Sequence, residues 1–203
     1  MKQSLIFSAI FLASSLMVSS CKKGSTSSTP TPTATTADSV SATAVVYEAT
    51  GSYTQVNSST SESKLINPKN VKVFYKDVSY WANTYYTYIT FYNTNSTGAS
   101  ESISFVFLGK ELPKTGTYKV GPWVIAKDGV SDDDKLLSNE VAVLTLANSW
   151  VSKRDAVKIV KVINDNGKLS ISTSDEIEVF DNMYGDSKGK CKDISFTKTT
   201  TKI

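Results

Sequence analysis

Residues 84–93 read Thr84-Tyr85-Tyr86-Thr87-Tyr88-Ile89-Thr90-Phe91-Tyr92-Asn93, with no glycine, proline or charge. Aromatic and β-branched side chains of this kind fit a pleated, half-buried surface. At a period of two, Tyr86, Tyr88 and Tyr92 share one face, and Tyr85, Ile89 and Phe91 share the other. The stretch therefore reads as a strand, and the chain on either side repeats the pattern. Val71, Val73 and Tyr75 alternate with Lys72, Phe74 and Lys76. Ile103, Phe105 and Phe107 alternate with Ser102, Ser104 and Val106. Leu169-Ser170-Ile171-Ser172 and Ile194-Ser195-Phe196-Thr197 do the same. Further strands are expected at 43–49, 122–126, 141–147, 156–163 and 176–181. The run at 141–147 is apolar on both faces and is expected to be central.

Turn chemistry separates these runs. Asn95-Ser96-Thr97-Gly98 and Asn164-Asp165-Asn166-Gly167 each place Gly after residues that tolerate left-handed backbone, which marks hairpin loops. Lys114-Thr115-Gly116 and Lys127-Asp128-Gly129 read as further turns. No amphipathic helix of ten residues is visible, and 131–140 has room for one short helical turn. Many short strands with regular turns predict an all-β domain, either an antiparallel β-sandwich or a barrel-like meander.

Composition narrows the chemistry. The chain has 203 residues, a formal charge of +3, two cysteines and no histidine. The missing histidine removes the usual general base, the usual zinc ligand and every histidine-paired nucleophile. No basic run points to nucleic acid, and no motif asks for a cofactor. Two carboxylates flanking a sugar bond could still support a histidine-free glycan hydrolase. With 19 acids, no pair stands out. Asp128, Asp132, Asp133 and Asp134 form a local acidic group with oxygen donors suited to calcium, but the spacing departs from the alternating calcium-loop pattern. The remaining candidate is the aromatic face: Trp81, Tyr86, Tyr88 and Tyr92 would form a surface for sugar rings or a protein partner if it faces solvent.

The N-terminal part follows different rules. Lys2 is a short basic head, residues 5–18 form an uncharged apolar run of 14, and Val18-Ser19-Ser20-Cys21 ends it. A bilayer-spanning helix takes about 20 residues, so the run is too short to cross and has the length of a signal-peptide core. The order of basic head, apolar run, small residues and cysteine resembles the signal sequence of bacterial lipoproteins. That resemblance implies cleavage before Cys21, lipidation of its thiol and a membrane anchor. Lys22 lacks the acid that commonly retains such proteins in the inner membrane, so the implied location is the outer membrane of the cell envelope. Residues 24–44 are Ser-, Thr- and Pro-rich with almost no large apolar side chain and read as a disordered tether. Gly116-Thr117-Tyr118-Lys119-Val120 resembles a strand motif of small β-rich bacterial lipoproteins, which carries no known activity. The expected organisation is thus a signal peptide at 1–20, the lipidated cysteine and tether at 21–44, and one all-β domain at 45–203. Lipidation of Cys21 would leave Cys191 without a partner in the chain. Strand parity with Asp193, Ser195 and Thr197 predicts that Cys191 is at least partly accessible. The functional expectation is a non-catalytic envelope protein that binds a glycan or envelope protein or has a structural role there.

Overall fold

The computed structural model describes residues 40–77, 84–94, 100–123, 131–145, 149–182 and 185–203. Twelve strands account for nearly all of its regular structure. They are β1 (Val45–Asn57), β2 (Ser63–Ile66), β3 (Asn70–Asp77), β4 (Tyr85–Thr94), β5 (Ser100–Leu108) and β6 (Gly116–Val120) in the first half. The second half holds β7 (Glu140–Thr145), β8 (Trp150–Ser152), β9 (Asp155–Asp165), β10 (Lys168–Thr173), β11 (Ile177–Phe180) and β12 (Ser187–Lys202). Asp132–Asp134 forms a single 3-10 turn within the segment expected to hold a short helix.

Of the two architectures the sequence allowed, the barrel is the one formed. Nine strands close in the order β1-β3-β4-β5-β7-β6-β9-β10-β12 and return to β1. Every pairing is antiparallel except β6 with β7. Closure removes the exposed sheet edges that invite aggregation. A second, shorter route joins β12 to β7 through β11 and β8. β2 lies outside the ring, paired with the second half of β1. The β1–β12 seam needs glycine from both strands. A Cβ on Gly51, whose φ is +117°, would overlap the Ser195 carbonyl oxygen, and one on Gly189 would overlap the Val56 carbonyl.

The interior is filled by the predicted inward sets. Val71 and Val73 of β3, Ile89 and Phe91 of β4, and Ile103, Phe105 and Phe107 of β5 meet Leu169, Ile171, Ile194 and Phe196 in one buried cluster. Phe91 stacks on Phe196 at 4.4 Å, and Phe105 meets both rings edge-on. The β9–β10 hairpin turns at Asn166 and Gly167, with φ of 49° and 83°, as its sequence predicts. The Asn95–Gly98 loop lies outside the described residues. In the expected strand at 122–126, Pro122 and Trp123 are not in a strand, and the rest is outside the described residues.

Two expectations change. The Val40 amide donates to the Lys110 carbonyl and the Tyr75 amide to the Ser41 carbonyl, at 3.1 and 3.0 Å. Val40 also packs on the core, so residues 40–44, assigned above to the tether, belong to the domain. Cys191 is fully buried, which corrects the expectation of an accessible thiol. Two steps along β1, from Ser52 to Thr54, correspond to three along β12, from Ser195 to Lys192. The extra residue is a β-bulge at Asp193, whose φ is 54°. It resets parity, so Gly189 and Cys191 turn inward below the bulge while Ile194 and Phe196 turn inward above it.

Candidate functional site

The outer face of the barrel divides into a covered half and an open half. On β5 and β7 the alternation fails: Val106, Ala142 and Leu144 are apolar where a solvent-facing strand would be polar. Together with Tyr86 of β4 and Val151 of β8 they form a second buried cluster. Leu136 and the half-buried Trp123, from the β6–β7 connection, close over it. Hydrogen bonds fix that connection. The Gly121 amide donates to Val141 O at 2.9 Å and the Trp123 amide to Ser152 O at 3.1 Å. The Ser152 hydroxyl donates to Gly121 O at 2.7 Å and accepts from the Val143 amide at 2.9 Å.

This cover overturns the expected tyrosine row. Tyr86 is fully buried, edge-on to Trp123 at 5.4 Å, and among the described residues its hydroxyl has only a weak approach to the Leu136 backbone. Burial pushes its phenol up to about 12. Tyr88 is half-buried between Phe74, stacked at 4.9 Å, and Trp123, edge-on at 5.6 Å. One ring face is therefore already occupied. Tyr92 is half-buried, with the Lys72 ammonium 5.7 Å from its centroid. Trp81 lies outside the described residues. The parity assignment itself holds, because Ile89 and Phe91 are in the barrel core and the tyrosines point outward.

Of the acidic group, Asp133 and Asp134 have described side chains. Asp128 and the side chain of Asp132 lie outside the described residues, and Asp133 is exposed. Asp134 Oδ2 accepts from the Ser131 amide and hydroxyl at 2.8 and 3.1 Å, a local turn contact. Among the described residues, no three His, Cys, Asp or Glu side chains converge as a metal would need. Arg154 holds the segment in place. It donates from Nε and Nη2 to both Glu140 carboxylate oxygens, at 2.7 and 3.1 Å, and from its other donors to the Asp133 and Lys135 carbonyls. Glu140 is 4% exposed and also accepts from the Leu137 amide at 3.0 Å.

Inside the barrel, where the 3%-exposed Lys198 shares the inward parity of β12 with Ile194 and Phe196, the titratable groups include a phenol and a thiol. Burial raises both, pushing Cys191 up to about 12 and Tyr53 higher still, with the nearby Cys191 and Glu101 adding to the Tyr53 shift. Neither is placed to act on a solute, since both side chains are fully buried.

A concave feature lies at the barrel end where β5 finishes. The connection from Leu108 to Lys114, with Phe107, Tyr118 and Ser138, lines a groove of about 440 Å³. That volume falls within the roughly 300–1,000 Å³ typical of small-ligand sites. Phe107 and Tyr118 meet edge-on at 5.1 Å, and the Tyr118 hydroxyl donates to Lys114 O at 3.0 Å. Lys110 lies 3.6 Å from the Tyr85 centroid and 5.2 Å from that of Tyr75, two rings at the same rim. Glu111 is the one carboxylate among the lining residues. Sequence reasoning passed over this groove. Its single legible sign is the Lys110-Glu111-Leu112-Pro113-Lys114 connection, which combines charge and apolar surface without strand periodicity. No protein family, curated protein or solved structure matches this chain.

Proposed function

We propose that this chain is a bacterial envelope lipoprotein, anchored through Cys21 at the outer membrane, whose barrel binds an anionic envelope glycan without transforming it. The observation that carries the reading is the groove at the end of β5, where aromatic and aliphatic walls meet two lysines and one carboxylate. Aromatic and aliphatic surfaces suit the C–H faces of sugar rings. Lys110 and Lys114 supply cations for acidic substituents. The alternative, a histidine-free hydrolase, requires two carboxylates spaced about 5–10 Å apart across the bound sugar. Glu111 alone lines the groove, and the buried carboxylate of Glu140 is engaged by Arg154. The anchor rests on the Val18-Ser19-Ser20-Cys21 pattern.

Two measurements test the reading. In cells, Cys21→Ala is expected to abolish palmitate labelling and release the protein from membranes; unchanged membrane association would end the anchor proposal. In pull-downs on isolated envelope polysaccharide, the paired change Lys110→Ala and Lys114→Ala is expected to lower retention about tenfold while costing no more than about 1 kcal/mol of stability, because Lys110 and Lys114 are exposed and Lys110 loses only its contacts with Tyr85 and Tyr75. Retention equal to that of the parent chain would remove the groove from the binding account. Release of shortened glycan would favour the hydrolase.

A further inference from the structure

The strand ends bring the tether and the groove together. Val45 of β1 is in register with Val73 near the end of β3, Asp77 at the end of β3 with Tyr85 at the start of β4, and Tyr86 with Leu108 at the end of β5. The chain therefore enters the barrel at the end where the β5–β6 connection lines the groove. Hydrogen bonds fix the junction. The Val40 amide donates to the carbonyl of Lys110, a groove residue, at 3.1 Å, and the Tyr75 amide donates to Ser41 O at 3.0 Å. Val40 is also packed on the core, so the tether leaves the domain from a fixed point on the groove's rim. Two leucines stand at the same rim. Leu108 lines the groove and is 37% exposed, and Leu137, next to the lining Ser138, is 51% exposed.

We infer that the groove draws its ligand from the membrane that holds the chain, and that this ligand is the anionic sugar headgroup of a glycolipid rather than a free polymer. The inference deepens the glycan-binding reading above and rests on it, and on the anchor at Cys21.

Groove chemistry alone does not choose between these sources, because Lys110, Lys114 and Glu111 would meet the same acids and hydroxyls on either. Reach chooses. From Cys21 to Val40 the backbone spans about 25 Å as a flexible coil and at most about 65 Å fully extended. The groove is thus held over its own membrane, where a glycolipid is presented at a local concentration of about millimolar. A free polymer gains nothing from that confinement. The exposed leucines fit the same source: a lipid-borne headgroup is continuous with hydrocarbon, and Leu108 and Leu137 offer it apolar contact. The far end of the barrel has no share in this arrangement. The turn between β1 and β2 lies at the opposite end of β1, and Ser59 there is exposed.

The test compares two orientations on one kind of vesicle. The chain from residue 21 is coupled through the Cys21 thiol to maleimide-bearing phosphatidylcholine vesicles that contain lipopolysaccharide; the buried Cys191 does not compete. A chain carrying Cys21→Ser and Ser59→Cys is coupled in the same way and presents the barrel inverted. Acylation of lysine amines, read by mass spectrometry, reports occupancy, with the exposed Lys161 of β9 as internal reference. In the Cys21-coupled chain, Lys110 and Lys114 are expected to react about tenfold more slowly than on vesicles without lipopolysaccharide, the occupancy that a millimolar local concentration gives at a Kd of about 0.1 mM. In the inverted chain they are expected to react at the unprotected rate. Equal protection in both orientations overturns the inference. So does protection by the polysaccharide released from its lipid with mild acid and none on the vesicle, an outcome that leaves the glycan-binding reading intact. Absence of protection by either form removes that reading and the inference with it. Maleimide coupling makes the result independent of lipidation in cells, so the palmitate experiment is judged separately.

Discussion

Tyr86 is the residue on which the sequence and the fold disagree most, and replacing it measures the outer cluster directly. Its side chain is fully buried among Val106, Leu136, Ala142, Leu144 and Val151, with the Trp123 ring edge-on at 5.4 Å. Truncating a buried aromatic removes its transfer free energy and leaves a cavity, together about 3–5 kcal/mol. About 0.5–1.5 kcal/mol of that belongs to the ring pair with Trp123. Tyr86→Ala should therefore cost about 4 kcal/mol. Tyr86→Phe should behave differently. The buried hydroxyl has at best a weak contact with the Leu136 backbone, and a poorly satisfied buried hydroxyl costs about 1–3 kcal/mol, so its removal should change stability by less than about 1 kcal/mol. Tyr88→Ala, at a half-buried ring, should fall between, at about 1–2 kcal/mol. Urea unfolding followed by tryptophan fluorescence gives all three from the shift in midpoint at constant slope. A loss below about 1 kcal/mol for Tyr86→Ala would mean that the β6–β7 connection does not cover this face. A clear loss for Tyr86→Phe would mean that the hydroxyl has a partner.

Three other expectations follow from the same packing. Cys191 in the Cys21→Ser chain should not react with a thiol reagent until denaturant is added; rapid labelling of the folded protein would refute the bulge at Asp193. Stability should fall as pH rises from 9 to 12: the folded state keeps the Cys191 and Tyr86 protons up to about 12, while the unfolded chain releases them near 9 and 10. Below pH 9 that contribution is fully present, and an unfolding midpoint constant from pH 9 to 12 would contradict both burials. Arg154→Met should cost about 1–3 kcal/mol by removing the charged partner of the buried Glu140 carboxylate, which keeps the Leu137 amide, and adding Glu140→Gln should restore part of it. A single change without effect would show that the pair is solvated.

Much of the fold was legible because it is local. Periodicity placed β3, β4, β5 and β10 and assigned Ile89 and Phe91 to the core, and Asn166-Gly167 fixed the hairpin turn. The short strands escaped: Ser63-Lys64-Leu65-Ile66 and Trp150-Val151-Ser152 are too brief for a period to show. The second half of β1, Gly51-Ser52-Tyr53-Thr54-Gln55-Val56-Asn57, escaped because Gly51 and its polar neighbours mask the alternation. The bulge at Asp193 escaped because one inserted residue in β12 leaves no mark on composition. The burial of Tyr86 depends on Leu136 and Trp123, which are far away in sequence. A sign was nevertheless present: Val106 interrupts the alternation of β5, and 141–147 is apolar on both faces. Neither strand has a use for outward apolar side chains unless something covers them.

That cover also explains where recognition can occur. Phe91, Phe105 and Phe196 pack against one another across the interior of the closed barrel, and the groove at the end of β5 lies outside that layer. The connection that buries Tyr86 through Leu136 also contributes Ser138 to the groove two residues later. Arg154 ties this connection to Glu140 and to the Asp133 and Lys135 carbonyls. Groove shape and outer-cluster stability therefore share one fastening. On the wall at β9, Val157, Ile159 and Ile163 stay partly exposed, Lys161 and Val162 are in register with both β6 and β10, and the Ile159 amide is held by Asp175 Oδ2 at 2.8 Å.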